Sequence, residues 1–559
     1  MSESVKSGVI WRNPCLLSSK NQPASIQEIR LSDVDHGVID PKTYDAVEVD
    51  ALFDVIDYTK TQIGHLTLFR SLARPITDAQ VLQKKQASLR ELESNPELYR
   101  DLQQYVERLA AREKFLYHLL YGEFSGGLST DDDPKGGSSK LEFNGCGYRQ
   151  FKDGTEFAVE LVEAANALPQ SKTSYLGELL DTIRNFGQSR IYKLMHGPVY
   201  HVQGKFKTKE EKAGFLPIPR FQPSMFKFLP IFFFMAAVGG ILYFFQTMLP
   251  ELGASYIGYG ILALTVPVFP VILHAIGVSD RDAIIYPLRK QFRQSPELAQ
   301  AMDALGMIDE LLSFRCHAQS LGDIVTLPEI IENKHHVLTA EKAKNPLLVK
   351  DNLDFVPNDI TLDADGRILI ITGPNSGGKT AFCKTVAQIQ LLGQIGCYIP
   401  AAKAQLVPVE HLYYQVPDPG QLDAGVGRFG HELKRTREIF FNATPQSLVV
   451  LDELSEGTTF EEKMTLSEYI LKGFHKLGAS TLLVTHNHEL CERLQSDRIG
   501  RYLQAEFMPQ GPTHRLIAGV SRVSHADRVA SEIGFSKEDV EKHLAARDRE
   551  KNSPASDAA

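Results

Sequence analysis

The sequence lacks a C-x-x-C pair, an apolar stretch at its start and an excess of positive charge. Its six cysteines are scattered, which excludes a disulfide framework or a zinc site of usual spacing and predicts reduced thiols in a cytosolic compartment. The opening residues MSESVKSGVIWRNPC have no apolar core, so we expect no cleavable signal peptide. A formal net charge of −9 argues against a protein that coats nucleic acid through overall basicity, although a local basic face remains compatible with it.

The chain of 559 residues is too long for one hydrophobic core, so roughly two to four domains are expected. Helical patterns dominate its first half. Thr77 with Gln80 forms a capping-box pattern, and Asn95-Pro96 predicts a second helix start. The helix between these signals has three leucines on one face, Leu82, Leu89 and Leu92. From about residue 346 strands alternate with helices, which predicts a parallel sheet with crossover helices.

Charge is also missing from two neighbouring stretches, 228–249 and 254–278. With about 22 and about 25 residues, each is long enough to cross a hydrocarbon core of roughly 30 Å. Pro267 and Pro270 would kink the second stretch. Lys and Arg flank the pair on both sides but are absent from the connector 250–253, so the pattern predicts a transmembrane helical hairpin with both flanks cytoplasmic. The alternative is a buried hairpin inside a large helical core.

A glycine turn between a strand and a helix matches a phosphate-binding loop. The stretch RILIITGPNSGGKTAFCKTVAQIQLL meets the spacing G-x-x-x-x-G-K-T with Gly373, Gly378, Lys379 and Thr380. In such a loop the backbone wraps the phosphates, Lys379 would reach the β- and γ-phosphates, and the Thr380 hydroxyl would bind Mg²⁺. The other candidate nucleotide-binding positions of the loop are Pro374, Asn375, Ser376 and Gly377. An ordinary glycine turn opening a helix is the alternative.

Two later strands end in residues suited to phosphate chemistry. SLVVLDELSEGTT is an apolar strand ending in Asp452 and Glu453. Asp452 could hold Mg²⁺ through water, and Glu453 could orient and deprotonate an attacking water. The next strand, STLLVTH, ends at His486, whose imidazole could sense or polarise the γ-phosphate region. A plain acidic turn and a plain loop histidine are the alternatives.

These motifs resemble the MutS family of ATPases, and the resemblance extends beyond the phosphate loop. It covers roughly 57–110 and 300–545 and is strongest in 355–490. The segments that carry it are FVPNDITLDADGRILIITGPNSGGKT, LGQIGCYIPAAKAQLVPVEHLY, LDELSEGTT, VTHNHEL and HRLIAGVSRVSHADRVASEIGFSKEDVEK. The resemblance implies that Phe355 stacks on adenine, that His486 is a histidine switch, and that the last segment is a helix-turn-helix used in dimerisation.

Departures from the family pattern concern DNA. The only Phe-x-Glu is residues 460–462, within the ATPase part, so we expect no mismatch-reading wedge near the N-terminus. Because the helical core is expected to start near residue 46, we expect no room for that module or for the connector that follows it. The apolar pair stands where the family inserts its DNA clamp. The family's Ser-Thr-Phe signature reads Gly427-Arg428-Phe429. Arg428 could therefore act as an arginine finger on the partner's γ-phosphate, or it could be a solvated loop arginine.

The predicted fold class is α + α/β. A helical core and lever domain carries the transmembrane hairpin and is followed by an ABC-like P-loop ATPase domain with a mostly parallel sheet. The expected organisation, in chain order, is an N-terminal segment 1–45, the first part of the core 46–227, the hairpin 228–278, the core return 279–345, the ATPase with its dimerisation helices 346–545, and a disordered tail 546–559.

The predicted function is that of a membrane-anchored MutS-like ATPase. It would be a homodimer that uses ATP and Mg²⁺ to move the lever, located in the cell inner (plasma) membrane as a multi-pass protein in contact with the lipid bilayer. DNA is a further partner that the resemblance implies, in mismatch repair or recombination. The alternatives are a membrane remodelling, transport-associated or signalling ATPase that does not bind DNA, and a scaffold that binds ATP without turnover. An LSGGQ signature is missing, which weighs against a transporter subunit.

Overall fold

The fold is taken from a computed structural model that describes residues 37–122, 124, 147–202, 204–211, 228–248, isolated positions between 260 and 275, and then 277–322, 324–349, 355–374, 377–417, 428–454, 460–508, 511–521 and 533–551. The described residues form two compact units. One contains Ile56–Ser71 and Lys84–His317, and the other contains the described residues of Leu31–Val55, Leu72–Gln83 and Ala318–Ala559.

Helices make up most of the chain before residue 322. Their bounds are α1 Pro41–Val47, α2 Val49–Ile56, α3 Gln62–Ala73, α4 Ala79–Ser94, α5 Pro96–Ala110, α6 Glu113–Tyr121, α7 Tyr148–Ala167, α8 Ser174–Phe186, α9 Arg190–His196, α10 Phe228–Met248, α11 Tyr286–Arg293 and α12 Pro296–Leu321. A π-helical segment, Arg281–Ile285, leads directly into α11. Two short antiparallel strands, β1 Tyr200–Val202 and β2 Lys205–Lys207, form a small hairpin.

Local sequence signals determine where α4 and α5 begin. The Asn95 side chain accepts a hydrogen bond from Leu98 N at 3.2 Å, and Pro96 occupies the first turn, as predicted. For α4 the capping residue is Asp78, which accepts from Gln80 N at 2.8 Å, and the predicted Thr77 cap is wrong. A carboxylate is a stronger acceptor for free N–H groups than a hydroxyl. The three leucines predicted to share a face of α4 are all buried.

Two buried carboxylates hold the start of α3 in the helical unit. Asp309 of α12 accepts from Thr61 N at 2.7 Å and Lys60 N at 2.9 Å. Glu113 of α6 accepts from Gln62 N at 2.6 Å and Ile63 N at 2.9 Å. These acceptors satisfy N–H groups that a helix leaves without intrahelical partners. Burial raises the pKa of Asp309 to about 6 and that of Glu113 to about 7.

The predicted transmembrane hairpin is not supported. Its first half coincides with α10, while most of its second half, 254–278, lies outside the described residues. Within the described part of the chain, no helix is long and apolar enough to cross a bilayer. This finding contradicts two predictions. One is the transmembrane hairpin in the predicted fold class, and the other is the location of the chain in the plasma membrane as a multi-pass protein. Length and lack of charge in a sequence are necessary for such a span but do not establish one.

The second unit is built on a six-stranded sheet. Its strands, in spatial order, are β12 Gly511–Ala518, β11 Arg501–Met508, β6 Ile368–Thr372, β10 Ser480–Val484, β9 Ser447–Asp452 and β8 His411–Gln415. All neighbours from β11 to β8 are parallel, and β12 is antiparallel to β11. Strands β6, β9 and β10 are buried throughout. Their carboxyl ends meet at one edge, where ligands bind in sheets of this kind.

This unit also contains a smaller sheet, α1 and most of α2, and the helices that follow the phosphate loop. The four strands run in the order β3 Glu329–Ile330, β7 Lys403–Leu406, β4 Leu338–Ala343 and β5 Asn358–Leu362. The helices that follow the phosphate loop are α13 Lys379–Gln394, α14 Arg428–Asn442, α15 Phe460–Leu477, α16 His488–Ser496 and α17 Lys537–Lys551. Strands β4 and β5 are antiparallel, with Ala343 opposite Asn358, so residues 344–357 connect two fixed strand ends.

Candidate nucleotide site

The loop between β6 and α13 needs glycine at three described positions. Gly373, directly after β6, has a left-handed backbone with φ of 128°. Gly378 takes a left-handed conformation, with φ of 84°, immediately before α13 begins. A β-carbon on Gly377 would lie 2.5 Å from the β-carbon of Ala505 on β11, closer than real carbon contacts. Larger residues would therefore strain the turn or push it off the sheet. The turn directs the free N–H groups of the α13 N-terminus towards the carboxyl edge of the sheet, which suits an anion.

Lys379 is the first residue of α13, and its side chain lies along the loop. Its Nζ donates a hydrogen bond to the carbonyl oxygen of Pro374 at 2.7 Å. The side chain is largely buried, and burial lowers the pKa of Lys379, while the carboxylates of Glu453 and Asp452 oppose this shift. The ammonium group is therefore held close to the loop with two carboxylates within electrostatic range.

Asp452 is the last residue of β9, and its carboxylate contacts Thr380, the second residue of α13. The Thr380 side chain forms a hydrogen bond with the Asp452 carboxylate. Burial raises the pKa of Asp452, and this hydrogen bond acts against the shift. A hydroxyl and a carboxylate at one point are the oxygen donors that Mg²⁺ prefers. The two predicted metal ligands are thus adjacent, and their chemistry fits the ion.

Glu453 and His486 form a second pair at the same edge. His486 Nε2 lies 3.0 Å from Glu453 Oε1. Glu453 has a left-handed backbone, with φ of 63°, and its N–H donates to the Val484 carbonyl at 3.1 Å. The side chains are 18% exposed for Glu453 and 43% for His486, so water can reach both. A non-glycine residue in this conformation is costly and is often found at functional sites.

The remaining predicted site residues are only partly described. Phe355 is half-buried and lies three residues before the start of β5. Asn375 and Ser376 lie outside the described residues. Arg428 begins α14, but its side chain is outside the described part of the structure. The roles given to these four residues stay predictions.

His514 is a residue that the sequence motifs did not indicate. Its Nδ1 lies 3.5 Å from the position that a β-carbon on Gly378 would take. Its backbone is left-handed, with φ of 59°, and its carbonyl accepts from Asn358 Nδ2 at 3.0 Å. The Asn358 Oδ1 also accepts from Leu516 N at 2.7 Å. His514 lies about 135 residues after the loop in sequence, and the pairing of β12 with β11 brings it to the loop. No local sequence pattern could therefore have identified it.

Comparison with protein-family models agrees with these features. The model described as MutS domain III matches residues 37–314, and the model described as MutS domain V matches residues 369–542. The second match contains β6, the loop, Asp452, Glu453 and His486. Together the two matches include the helical unit and most of the sheet unit.

Comparison with curated proteins gives relatives of the same kind. The chain is 32% identical over 254 residues to the DNA mismatch repair protein MutS 2 of Halobacterium salinarum, covering 44% of this chain and 29% of that protein. It is 33% identical over 222 residues to the DNA mismatch repair protein msh3 of Aspergillus oryzae, covering 39% and 20%. It is 36% identical over 212 residues to the Endonuclease MutS2 of Caldicellulosiruptor saccharolyticus, covering 37% and 27%. The chain therefore spans less than a third of the length of these relatives.

Proposed function

The chain belongs to the MutS family, and on this premise we propose that it binds and hydrolyses ATP at the carboxyl edge of its six-stranded sheet. The observation that carries the proposal is the meeting of three strand ends at one point. The loop after β6 supplies Lys379 and Thr380, β9 supplies Asp452 and Glu453, and β10 leads to His486.

In the proposed reaction, a water oxygen attacks the γ-phosphorus and the bond to the β–γ bridging oxygen breaks, which gives ADP and inorganic phosphate. Glu453 orients the water and takes its proton. His486 holds the Glu453 carboxylate through the 3.0 Å contact. Lys379 moves from the Pro374 carbonyl to the β- and γ-phosphates, where its charge offsets the charge that develops on the phosphate oxygens.

Thr380 and Asp452 are the residues that would hold Mg²⁺ in this site. The hydroxyl and the carboxylate already lie within hydrogen-bond distance of each other, so the pair needs little rearrangement. The bound ion would neutralise negative charge on the β- and γ-phosphate oxygens. Partial burial of Asp452, which raises the pKa of its carboxyl, makes a cation beside it favourable.

Phe355 and His514 are proposed to contact the adenine. The resemblance implies stacking on Phe355, and His514 lies over Gly378 at the start of α13. Stacking of a base on an aromatic side chain contributes roughly 1–3 kcal/mol.

We further propose that the working form is a homodimer in which Arg428 reaches the γ-phosphate bound by the other protomer. Arg428 is the first residue of α14, and it stands within Gly427-Arg428-Phe429, the segment that by resemblance to the family reaches the nucleotide of the partner subunit. An Arg428→Ala variant is expected to lower the turnover number while leaving ATP affinity within about threefold. Mixing this variant with Lys379→Ala protein would restore part of the activity only if the arginine acts across protomers.

DNA is the second proposed ligand, because two of the relatives are described as DNA mismatch repair proteins. The net charge of −9 means that any binding must use a local basic surface. Duplex, branched and single-stranded DNA would be added separately to the ATPase assay. Stimulation that falls steeply with salt would support DNA binding, whereas an unchanged rate with all three would exclude it from the function.

The decisive test of the ATPase is Mg²⁺-dependent ATP turnover by the full chain. Wild-type protein is compared with Lys379→Ala and with Lys476→Ala, an exposed lysine on α15 that serves as the matched control. We expect Lys379→Ala to lose at least about 10²-fold in kcat/KM and the control to retain wild-type activity. Equal turnover by Lys379→Ala and the wild type would refute the proposed site.

A further inference from the structure

Strand β12 carries a bulge beside the phosphate loop. Between the pairs formed by Ala505 and Phe507 of β11, one residue of β11 stands opposite three residues of β12, 513–515. The middle residue of the three is His514, which has a left-handed backbone with φ of 59°, an uncommon conformation for a residue other than glycine. Its ring lies against Gly378 of the phosphate loop. Bulges next to a site often redirect a side chain towards it, and this bulge does so for His514.

Asn358, the first residue of β5, holds the bulge from the neighbouring sheet. Its Nδ2 donates a hydrogen bond to the His514 carbonyl oxygen at 3.0 Å, and its Oδ1 accepts one from Leu516 N at 2.7 Å. One side-chain amide therefore binds the two backbone groups that flank Arg515. These bonds hold the peptide groups that follow His514 and oppose a return of its backbone to the usual extended conformation.

Thr513 holds the bulge from the side of β11. Its Oγ1 donates to Glu506 Oε2 at 2.8 Å and accepts from Arg515 N at 3.3 Å. Glu506 is the residue of β11 that stands opposite the bulge. A left-handed backbone in a residue other than glycine is costly and persists where the surrounding structure fixes it. Asn358 and Thr513 supply that support here.

The bonds of Asn358 also bring the two candidate base contacts to the same end of β5. Phe355 precedes Asn358 by three residues, and the stretch between them contains Pro357. Proline restricts its own φ and the backbone of the residue before it, so this short stretch is stiff. Strand pairing with β4 fixes the start of β5, and the Asn358 side chain holds the His514 backbone beside it.

We propose that Asn358 is a positioning residue for recognition of the nucleotide base. Its side chain sets the place of the His514 ring relative to the phosphate loop and to the stretch that carries Phe355. In this role Asn358 acts through His514 and does not itself contact the base. The inference rests on the proposed function, in which Phe355 and His514 contact the adenine of ATP.

The inference separates binding of the base from binding of the phosphates. Without the Asn358 amide, the His514 backbone loses its support from β5 and the ring loses its fixed place, whereas Lys379 and Thr380 are unchanged. Variants should therefore bind ATP more weakly but bind inorganic triphosphate, which has no base, as the wild type does. A residue that only stabilised the fold would weaken the binding of both ligands.

The inference also requires that Asn358 act through His514. Removal of the amide should therefore have almost no further effect on ATP affinity once the His514 ring is absent. A double-mutant cycle with Asn358→Ala and His514→Ala measures this coupling. Neither change removes a backbone bond of β5, so the stretch that carries Phe355 keeps its anchor in all four proteins.

The experiment measures the affinity of the full chain for ATP and for inorganic triphosphate, both with Mg²⁺. Asn358→Ala removes the donor and the acceptor of the amide. Asn358→Asp keeps the acceptor for Leu516 N but loses the donor to the His514 carbonyl. His514→Ala and the double variant with Asn358→Ala complete the cycle.

Two further variants serve as a second test and as a control. Thr513→Val removes the bond to Glu506 at nearly constant volume and tests the same bulge if the Asn358 variants do not fold. Asn442→Ala is the matched control, because Asn442 is an exposed asparagine of α14 whose side chain bonds to the Glu438 carbonyl.

We expect both Asn358 variants and His514→Ala to bind ATP about tenfold more weakly than the wild type. Their affinity for triphosphate and their turnover number at saturating ATP should stay within about twofold of the wild type. The double variant should match His514→Ala, Thr513→Val should show a smaller loss of ATP affinity, and Asn442→Ala should show none.

Unchanged ATP affinity in the Asn358 variants would overturn the inference while leaving the ATPase intact. An equal loss of affinity for both ligands, or full additivity with His514→Ala, would overturn it in the same way. A wild-type chain that binds neither ligand would instead overturn the proposed function, and the inference with it.

Discussion

His486 Nε2 lies 3.0 Å from Glu453 Oε1, and this contact joins the ends of the neighbouring strands β10 and β9. The Glu453 backbone is left-handed, with φ of 63°, which directs its carboxylate to the same edge as Lys379 and Asp452. The imidazole can hold that carboxylate in either protonation state, because Nε2 can donate in both. The pair therefore gives the proposed general base a fixed direction before substrate binds.

Replacing Glu453 by glutamine should separate ATP binding from hydrolysis. The amide keeps the size of the side chain but cannot take a proton from water. We expect kcat to fall by about 10²-fold or more, while the dissociation constant for ATP changes by less than about threefold. Single-turnover hydrolysis and equilibrium binding measure the two quantities. Glu461→Gln, an exposed change in the first turn of α15, is the control, and rapid hydrolysis by the Glu453 variant would remove this residue from the mechanism.

Replacing His486 by alanine should affect hydrolysis only through Glu453. We expect a decrease in kcat of about tenfold in the wild-type background and almost none in the Glu453→Gln background, because the carboxylate that it orients is then absent. The double-mutant cycle on single-turnover rates measures this coupling. His488→Ala, two residues away and exposed, is the matched control. Full additivity of the two changes would show that the 3.0 Å contact has no role in the reaction.

A buried ion pair in the helical unit should be sensitive to loss of one partner. Lys85 Nζ donates to Glu310 Oε2 at 2.7 Å, with both side chains almost fully buried, and Nζ lies 5.0 Å from the centre of the Phe314 ring. Lys85→Met leaves the carboxylate buried without its cation, which should lower the free energy of unfolding by about 3–5 kcal/mol. Changing Glu310 to leucine as well should restore most of this loss.

Urea unfolding of Lys85→Met, of Glu310→Leu and of the double variant measures the effect. The exposed pair Arg315 and Glu93, 3.1 Å apart, is the control, and Glu93→Gln should cost less than about 1 kcal/mol. A double variant as unstable as Lys85→Met would show that the cost comes from packing around the lysine stem and not from the unpaired charge.

Candidate site residues at or after the carboxyl ends of strands are the ones that sequence can indicate as neighbours. Asp452 ends an apolar strand, Lys379 and His486 follow two others, and parallel strands bring their carboxyl ends together. The local sequence is therefore enough to predict that these residues lie close together.

Residues held by distant parts of the chain could not be predicted in this way. His514 reaches the loop through an antiparallel strand, and Asp309 meets the start of α3 from α12, about 250 residues away in sequence. Such contacts depend on the packing of whole elements, which periodicity does not encode. The transmembrane hairpin was predicted from two long uncharged stretches and the Lys and Arg that flank them, and within the described residues no helix is long and apolar enough to cross a bilayer.

The two buried carboxylates at the start of α3 should make the stability of the helical unit depend on pH. Burial raises the pKa of Glu113 to about 7 and that of Asp309 to about 6. The hydrogen bonds that these carboxylates accept from N–H groups act in the opposite direction and lower the pKa. A carboxyl with a raised pKa takes up a proton more readily in the folded state than in the unfolded state. Its stabilising contribution is therefore complete below its unfolded pKa and is lost as the pH rises through its folded pKa.

Between pH 5 and pH 8, Glu113 should thus lower the free energy of unfolding by about 2–3 kcal/mol. Glu113→Gln is neutral at every pH and still offers an oxygen to Gln62 N or Ile63 N, so its stability should depend less on pH by that amount. Urea unfolding at both pH values measures the difference, with Glu107→Gln on the exposed side of α5 as the control. If wild type and Glu113→Gln lose the same stability between pH 5 and pH 8, then Glu113 is ionised throughout this range, and the hydrogen bonds from Gln62, Ile63 and Tyr117 outweigh its burial.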